Sequence, residues 1–175
     1  STKKGIKELS MEINNFLKQD LKSWNFITSI FFSISKKDKN NLEIVWMWHE
    51  PIFLFRKKIQ DVEKIIPWWL AAWIRLMKSI DQVKSKIINM DDWDIAISYS
   101  DWIIEAKNDL WEMYWFDRLA TKFKDLCLKN LTLENINKLL IADLKKFSWW
   151  KDLDQDDITI FLIKRSKEHD FLNDK

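Results

Sequence analysis

The sequence predicts the α+β fold class, built on antiparallel strands. Its 175 residues are 47% hydrophobic and 32% charged, which is enough to bury the core of one domain beneath a polar surface. The predicted order is one helix, a series of strands joined by short loops, two helices and a last strand. Strands joined by short loops pair antiparallel, whereas a repeated βαβ unit would place a helix after each strand.

Six segments carry the β-branched and aromatic residues that are typical of strands. The first is NFITSIFFSISKK, and the polar stretch KDKNN that follows it predicts a hairpin loop. The second and third segments are separated by a break at His49–Pro51. The predicted strands lie at 25–37, 42–48, 51–58, 83–90, 94–100 and 158–165.

Three segments carry apolar residues at helical spacing. The first covers 6–21, the second begins near Phe116, and the third begins at Leu133 with Thr132 as its predicted N-cap. Cys127 lies on the apolar face of the second helix, so we expect it in the core. The segments with neither pattern are predicted as loops or a frayed tail, at 65–76, 151–157 and 166–175.

The charge balance excludes several classes of function. The 29 basic and 27 acidic residues give a net charge of +2, without the basic excess that nucleic-acid and anionic-membrane binders carry. No apolar run reaches the roughly 18 residues that span a bilayer, and no signal-peptide pattern opens the chain. The single cysteine cannot form an internal disulfide, which fits a reducing compartment. We therefore expect a cytoplasmic domain with no nucleic-acid partner and no membrane insertion.

The tryptophan and glycine counts are abnormal. There are 12 tryptophans and 1 glycine, where average composition gives about a dozen glycines. Nearly all the tryptophans stand beside Asp, Asn, Ser or Pro, in turn contexts that favour glycine because they often need a positive φ. We hypothesise that tryptophan stands at glycine positions, because the source reads UGA codons as glycine. The alternative is a real aromatic surface that binds carbohydrate or peptide.

With glycine in place of tryptophan, residues 91–119 read DDGDIAISYSDGIIEAKNDLGEMYGFDRL. This stretch resembles the stage II sporulation E-like branch of the metal-dependent, protein phosphatase 2C-like phosphatases, whose pattern is roughly pGD-strand-TDG-v-EA-n--ge-fG-eRL. The resemblance extends over about residues 5–165. The matching residues of the first stretch are Asp94, Ser100, Asp101, Ile103, Glu105, Ala106, Asn108, Glu112, Phe116, Asp117, Arg118 and Leu119. Those outside it are Phe26, Thr28, His49, Pro51, Leu54 and the closing DDITIFLIKR.

Two aspartates are the candidate metal ligands. Asp101 ends the strand 94–100 and Asp156 precedes the strand 158–165, so their carboxylates converge at one sheet edge if these strands are antiparallel neighbours. Hard cations such as Mg²⁺ and Mn²⁺ prefer oxygen ligands of this kind. From the residues alone, Asp101 could instead cap a turn and Asp156 could belong to a solvated acidic loop. The resemblance implies that both bind metal.

The resemblance also implies supporting positions around the two aspartates. Asp157 matches a position that other branches fill with Asn, and Trp102 stands at a family glycine. Glu105 is implied to fix the loop after Asp101. His49 either shapes a turn, which we favour, or acts as a general acid. Arg118 is expected to pair with an acidic neighbour, and the alternative for it is phosphate binding.

The implied fold is an αββα sandwich of two antiparallel sheets flanked by helices. The implied activity is hydrolysis of phosphoserine or phosphothreonine by a water that two Mn²⁺ or Mg²⁺ ions activate. The implied partners are a small phosphoprotein substrate of the anti-anti-sigma type and an N-terminal sensor or receiver domain, and a homodimer is one implied assembly. The alternatives are a catalytically incomplete docking module and a Trp-rich ligand-binding module.

One part of the family pattern has no match in this chain. The family's catalytic domain opens with a segment containing GGD-yD and D-sGhG, which supplies another metal-binding aspartate. We therefore expect residues 1–165 to be the C-terminal portion of the catalytic domain, followed by the charged tail 166–175. Such a portion would hold half of the dinuclear site, and by itself it would bind metal weakly and turn over slowly or not at all.

Overall fold

The structure is a computed structural model that describes residues 4–20, 27–35, 38–47, 49–66, 76–148 and 158–167. These residues form helices and strands in the predicted α+β order. The helices are α1 (Ile6–Asp20), α2 (Asp101–Glu105), α3 (Trp115–Leu128) and α4 (Leu133–Phe147). The strands are β1 (Ser29–Ile34), β2 (Asn41–Met47), β3 (Ile52–Arg56), β4 (Asp61–Ile65), β5 (Lys86–Asn89), β6 (Ile95–Tyr99) and β7 (Ile160–Lys164).

The chain divides into two compact units, one made of residues 1–49 and 67–90 and the other of residues 50–66 and 91–175. Each unit holds one antiparallel sheet with helices beside it. The predicted class, two antiparallel sheets flanked by helices, is therefore confirmed. No helix among the described residues is long and apolar enough to cross a membrane.

The first unit is a three-stranded sheet of order β1-β2-β5 with α1 packed on it. Buried Val45 and Met47 of β2 form its core, and the apolar side of α1, including Leu17, packs against them. Asn15 of α1 connects the helix to the segment before β5. Its side-chain amide donates to the carbonyl of Met77 and accepts from the Met77 N–H, both at 2.8 Å. The predicted helix over 6–21 is confirmed.

The second unit is a four-stranded sheet of order β4-β3-β6-β7, and α3 and α4 pack on it. The two central strands, β3 and β6, are buried nearly throughout, including Ser98 of β6. Phe123 of α3 and Ile136 of α4 are fully buried in the same core. The Thr132 side chain accepts the Asn135 N–H at 3.2 Å, so the predicted N-cap of α4 is confirmed. Cys127 is buried, also as predicted.

Three elements were not predicted, one of them the single 3₁₀ turn Ile80–Gln82. β4 is an edge strand of sequence DVEKI, mostly exposed, so it lacks the apolar pattern that marks a strand. The residues after β6 were expected to be a loop but form the short helix α2, which buries Ile103 and Ile104. The predicted loops at 65–76 and 151–157 fall largely or wholly outside the described residues.

Left-handed backbone occurs at three of the five tryptophans that the structure describes. Trp93, Trp111 and Trp115 have φ values of 74°, 63° and 57°. These positions match the glycines of the pGD, ge and fG elements of the family pattern. Trp46 in β2 and Trp102 in α2 lie in regular structure instead, but the indole N–H of Trp46 is buried without a hydrogen-bond partner among the described residues. Both findings support the glycine hypothesis, which stays a prediction.

Candidate metal centre

The end of β6 positions Asp101. Ser100 keeps an extended backbone (φ −72°, ψ 152°), and the chain then turns into α2 with Asp101 as its first residue. The Asp101 side chain is exposed, and its Oδ1 accepts the backbone N–H of Trp102 at 2.9 Å. The carboxylate is therefore held at the sheet edge while remaining open to a ligand.

The strands β6 and β7 are antiparallel neighbours, as the metal-site prediction requires. Their register pairs Tyr99 with Ile160. One residue further, the Ser100 N–H donates to the Thr159 carbonyl at 3.0 Å, and the Thr159 N–H donates to the Ser100 hydroxyl at 3.1 Å. The start of β7 therefore lies directly beside Asp101. Asp156 and Asp157 fall outside the described residues, so their part of the prediction is untested.

Glu50 is a further carboxylate at this site, and the sequence analysis did not predict it. The pKa of Glu50 is raised, first by burial and then by the negative charges of Asp101 and Glu105, while Lys64 opposes the shift. All four residues belong to the second unit. Glu50 directly follows His49, within the segment that the family pattern matches. Its place beside a matched residue was the signal that could have identified it as a site residue.

The donor set at this edge fits a hard divalent cation in type but is incomplete in number. The charges of Asp101 and Glu105 disfavour an ionised Glu50, and a divalent cation would relieve that repulsion. Among the described residues, no three His, Cys, Asp or Glu side chains lie close enough to hold a metal ion together. A divalent cation at this edge would therefore need further oxygen ligands.

A buried phenol lies beneath the same edge. Tyr99, the last residue of β6, is 1% exposed, and its hydroxyl has no hydrogen-bond partner among the described residues. Burial, and then the charge of Glu50, raise its pKa well above the ordinary value, so the phenol is neutral. Its ring stacks on Phe53 at 5.8 Å between centroids, which fixes the end of β6 against β3.

The stage II sporulation protein E (SpoIIE) family model matches residues 2–166 of this chain. The chain belongs to the SpoIIE family. No curated protein sequence matches it. The family assignment agrees with the resemblance that the motifs around Asp101 indicated.

Solved structures share the fold of this SpoIIE-family chain. The RsbU and RsbW domains of a Mycobacterium tuberculosis protein are similar over 93% of this chain, with 15% identity and a TM-score of 0.73, and the chain spans 42% of that structure. The phosphatase domain of SpoIIE from Bacillus subtilis is similar over 95% of this chain, with 15% identity and a TM-score of 0.59, and 76% of it is covered. RsbX in complex with magnesium is similar over 91%, with 12% identity and a TM-score of 0.59, and 64% of it is covered.

Two of the supporting residues predicted from the family pattern lie beside Asp101, and His49 lies in a connection between strands. Glu105 ends α2 and contributes negative charge at Glu50, and exposed Trp102 positions Asp101 through its backbone N–H. His49 lies half-buried in the connection between β2 and β3, the place expected for a turn residue, and its chemical role stays a prediction.

Other family-matched residues serve the fold. The Asp94 carboxylate is fully buried and accepts from Arg56 Nη1 at 3.0 Å and from the Lys57 N–H at 2.9 Å, which joins the end of β3 to the start of β6. The Asn108 side chain accepts the backbone N–H groups of Leu110 and Glu112 at 3.0 and 2.9 Å, which closes the loop after α2.

Arg118 belongs to a network between α3 and α4. Its Nε lies 3.6 Å from Asp143, and its guanidinium stands 4.4 Å from the centre of the Phe147 ring. Asp143 also accepts from Lys122 at 2.9 Å and from the Tyr114 hydroxyl at 2.8 Å. The predicted pairing of Arg118 with an acidic neighbour is confirmed, and its side chain is engaged in helix packing.

Proposed function

We propose that this chain carries part of the metal site of a protein serine/threonine phosphatase. The observation that carries the proposal is the exposed carboxylate of Asp101 beside the start of β7, with the charges of Glu50 and Glu105 close to it. Membership of the SpoIIE family and a fold shared with the SpoIIE phosphatase domain supply the reaction class. The substrate would be a phosphoserine or phosphothreonine side chain.

The chain's own residues would act by binding and orienting. Asp101 would ligate a divalent cation, with Asp156, three residues before Thr159 in the sequence, as the proposed second ligand. The Trp102 N–H orients the Asp101 carboxylate, and Glu50 and Glu105 add negative charge that favours a cation. A bound pair of Mn²⁺ or Mg²⁺ ions would supply an activated water and hold the phosphoryl group for in-line attack.

The proposed partner is a small phosphoprotein of the anti-anti-sigma type. Support comes from two similar structures, one of the RsbU and RsbW domains of a Mycobacterium tuberculosis protein and one of RsbX in complex with magnesium. A third similar structure is the SpoIIE phosphatase domain presoaked with manganese. The N-terminal sensor or receiver domain, the homodimer and the cytoplasmic location stay predictions from the sequence.

The test is phosphate release from a phosphoserine peptide with Mn²⁺, using the full-length gene product. Asp101→Asn keeps the shape of the side chain and removes its charge, and we expect it to lower the rate by about two orders of magnitude or more. Asp125→Asn is the matched control, because Asp125 is an exposed aspartate on α3 away from the acidic edge. Equal rates for the two variants would reject Asp101 as a metal ligand.

The ligand-binding alternative rests on exposed tryptophans. Trp111 is 73% exposed and Trp115 is 50% exposed, as an aromatic binding surface requires. Both also have the left-handed backbone that favours glycine. Quenching of tryptophan fluorescence by oligosaccharides would support the binder, while Mn²⁺-dependent phosphate release supports the enzyme.

A further inference from the structure

A cavity of about 300 Å³ lies in the second unit, at the opposite end of β6 from Asp101. Its apolar wall includes Phe55 and Ile95 from the sheet and Cys127 from α3. Lys57 and Lys164 also line it. We call it the lysine cavity. A wall of this type, with few polar groups, is typical of small-molecule sites, and the volume is at their lower limit.

The side chains of both lysines belong to the lining of the lysine cavity. Lys57 Nζ donates to the side-chain oxygen of Asn130 at 2.6 Å, and Lys164 Nζ lies 4.5 Å from the centre of the Trp93 ring. Burial raises the pKa of the Cys127 thiol to about 12, and the charges of Lys57 and Lys164 both oppose that shift. Both positive charges therefore act at the thiol that forms part of the wall.

Neither ammonium has a carboxylate partner among the residues that the structure describes. The buried carboxylate of Asp94 contacts the backbone of Lys57. Its oxygens accept from Arg56 and from the backbone N–H groups of Lys57 and Asp91. The lysine cavity thus combines an apolar wall with two positive charges that no anion balances there. Charged hydrogen bonds to an incoming anion would be strong in such a site.

We propose that the lysine cavity binds a small organic anion, in which one carboxylate or phosphate group meets Lys57 and Lys164 and a compact apolar body covers Cys127. The volume equals about ten water molecules in the liquid, which suits a body of one ring or a short chain. Ile95 and Asp101 are six residues apart along β6 and its end, or roughly 20 Å. Such a ligand would therefore not compete with a phosphoprotein at the metal centre.

The site does not depend on the identity of residue 93. Glycine there would remove the ring beside Lys164 and enlarge the opening, while Lys57, Lys164 and the apolar wall remain. Binding is therefore expected in the chain with tryptophan at position 93 and in the Trp93→Gly variant.

The test is a titration of the 175-residue chain with benzoate, in which amide NMR shifts report binding. EDTA removes divalent cations, so that benzoate cannot bind through a metal ion at the metal centre. Benzamide is the uncharged control of equal shape. We expect saturable benzoate shifts at residues 55–57, 127–131 and 164, with an affinity at least about tenfold above that for benzamide. Phenylphosphonate, titrated in the same way, distinguishes the two sources of charge: tighter binding than benzoate assigns a phosphate ester, and weaker binding assigns a carboxylate.

Charge-removing variants complete the test. Lys57→Gln and Lys164→Gln should each weaken benzoate binding by about tenfold, and Lys164→Arg should retain it. Lys138→Gln, on the exposed side of α4, is the matched control and should bind like the parent chain. Equal binding of benzoate and benzamide by the parent chain would overturn the proposal without reference to any variant. So would unchanged benzoate affinity in folded Lys164→Gln.

Discussion

Glycine at the three left-handed tryptophans should give a more stable chain than alanine at the same positions. The perturbation is the triple replacement of Trp93, Trp111 and Trp115 by glycine, compared with the same triple replacement by alanine. Both variants lose the same indole contacts, including that of Lys164 with Trp93. Their difference in stability therefore isolates the backbone at φ values of 74°, 63° and 57°.

Two opposing effects set the difference in free energy of unfolding. A residue with a Cβ is strained by about 1–2 kcal/mol at each left-handed position, or roughly 3–6 kcal/mol for three. Glycine removes that strain but lowers the stability by about 0.4–1 kcal/mol per site, because it makes the unfolded chain more flexible. The triple-glycine variant should therefore exceed the triple-alanine variant by about 2 kcal/mol in free energy of unfolding. Urea denaturation followed by circular dichroism measures that difference.

The refuting result is equal stability, or greater stability of the triple-alanine variant. Either outcome would mean that these three positions do not require a left-handed backbone. The argument that tryptophan stands at glycine positions would then lose its structural support and rest on composition alone.

Three further predictions concern charge. Asp94→Asn should cost about 1–3 kcal/mol in urea unfolding, because it removes the buried carboxylate that accepts from Arg56 and from two backbone N–H groups, whereas Asp92→Asn, whose carboxylate is half-exposed, should cost less than about 1 kcal/mol; similar costs would contradict this. Burial raises the pKa of Asp143, but hydrogen bonds from Lys122 and Tyr114 outweigh it and hold the pKa below its usual value. The stability gained from that low pKa is present at neutral pH and is lost as the pH falls through the folded-state pKa, so the deficit of Asp143→Asn should shrink in acid; a deficit equal at pH values of about 7 and 3 would refute it. Glu50→Gln should weaken Mn²⁺ binding several-fold without destabilising the metal-free chain, because it removes repulsion from Asp101 and Glu105; unchanged Mn²⁺ affinity, measured by calorimetry, would contradict the role of Glu50.

Local patterns in the sequence predicted most of the fold. β3 and β6 are rich in apolar and β-branched residues and were assigned correctly, and both strands are buried nearly throughout. β4 was missed because its polar residues suit an exposed edge, where no apolar pattern is needed. The predicted first strand was too long, and β1 covers only Ser29–Ile34 among the described residues.

The candidate site was predictable only in part. The metal-site prediction required β6 and β7 to be antiparallel neighbours, and the structure confirms that pairing. Glu50 lies about fifty residues earlier in the chain, and its charge meets those of Asp101 and Glu105 only through tertiary folding. The turn contexts of Trp93 and Trp111 predicted a positive φ, whereas Trp46 lies in a regular strand where neighbours carry no such signal.

The measurement that tests the central claim most directly is Mn²⁺-dependent phosphate release from a phosphoserine peptide. It uses the full-length gene product with glycine at the tryptophan positions, beside its Asp101→Asn variant. The account predicts release that requires Mn²⁺ and is lost in the variant. Absence of release in both proteins would contradict the phosphatase assignment and favour a docking module that retains the SpoIIE-family fold.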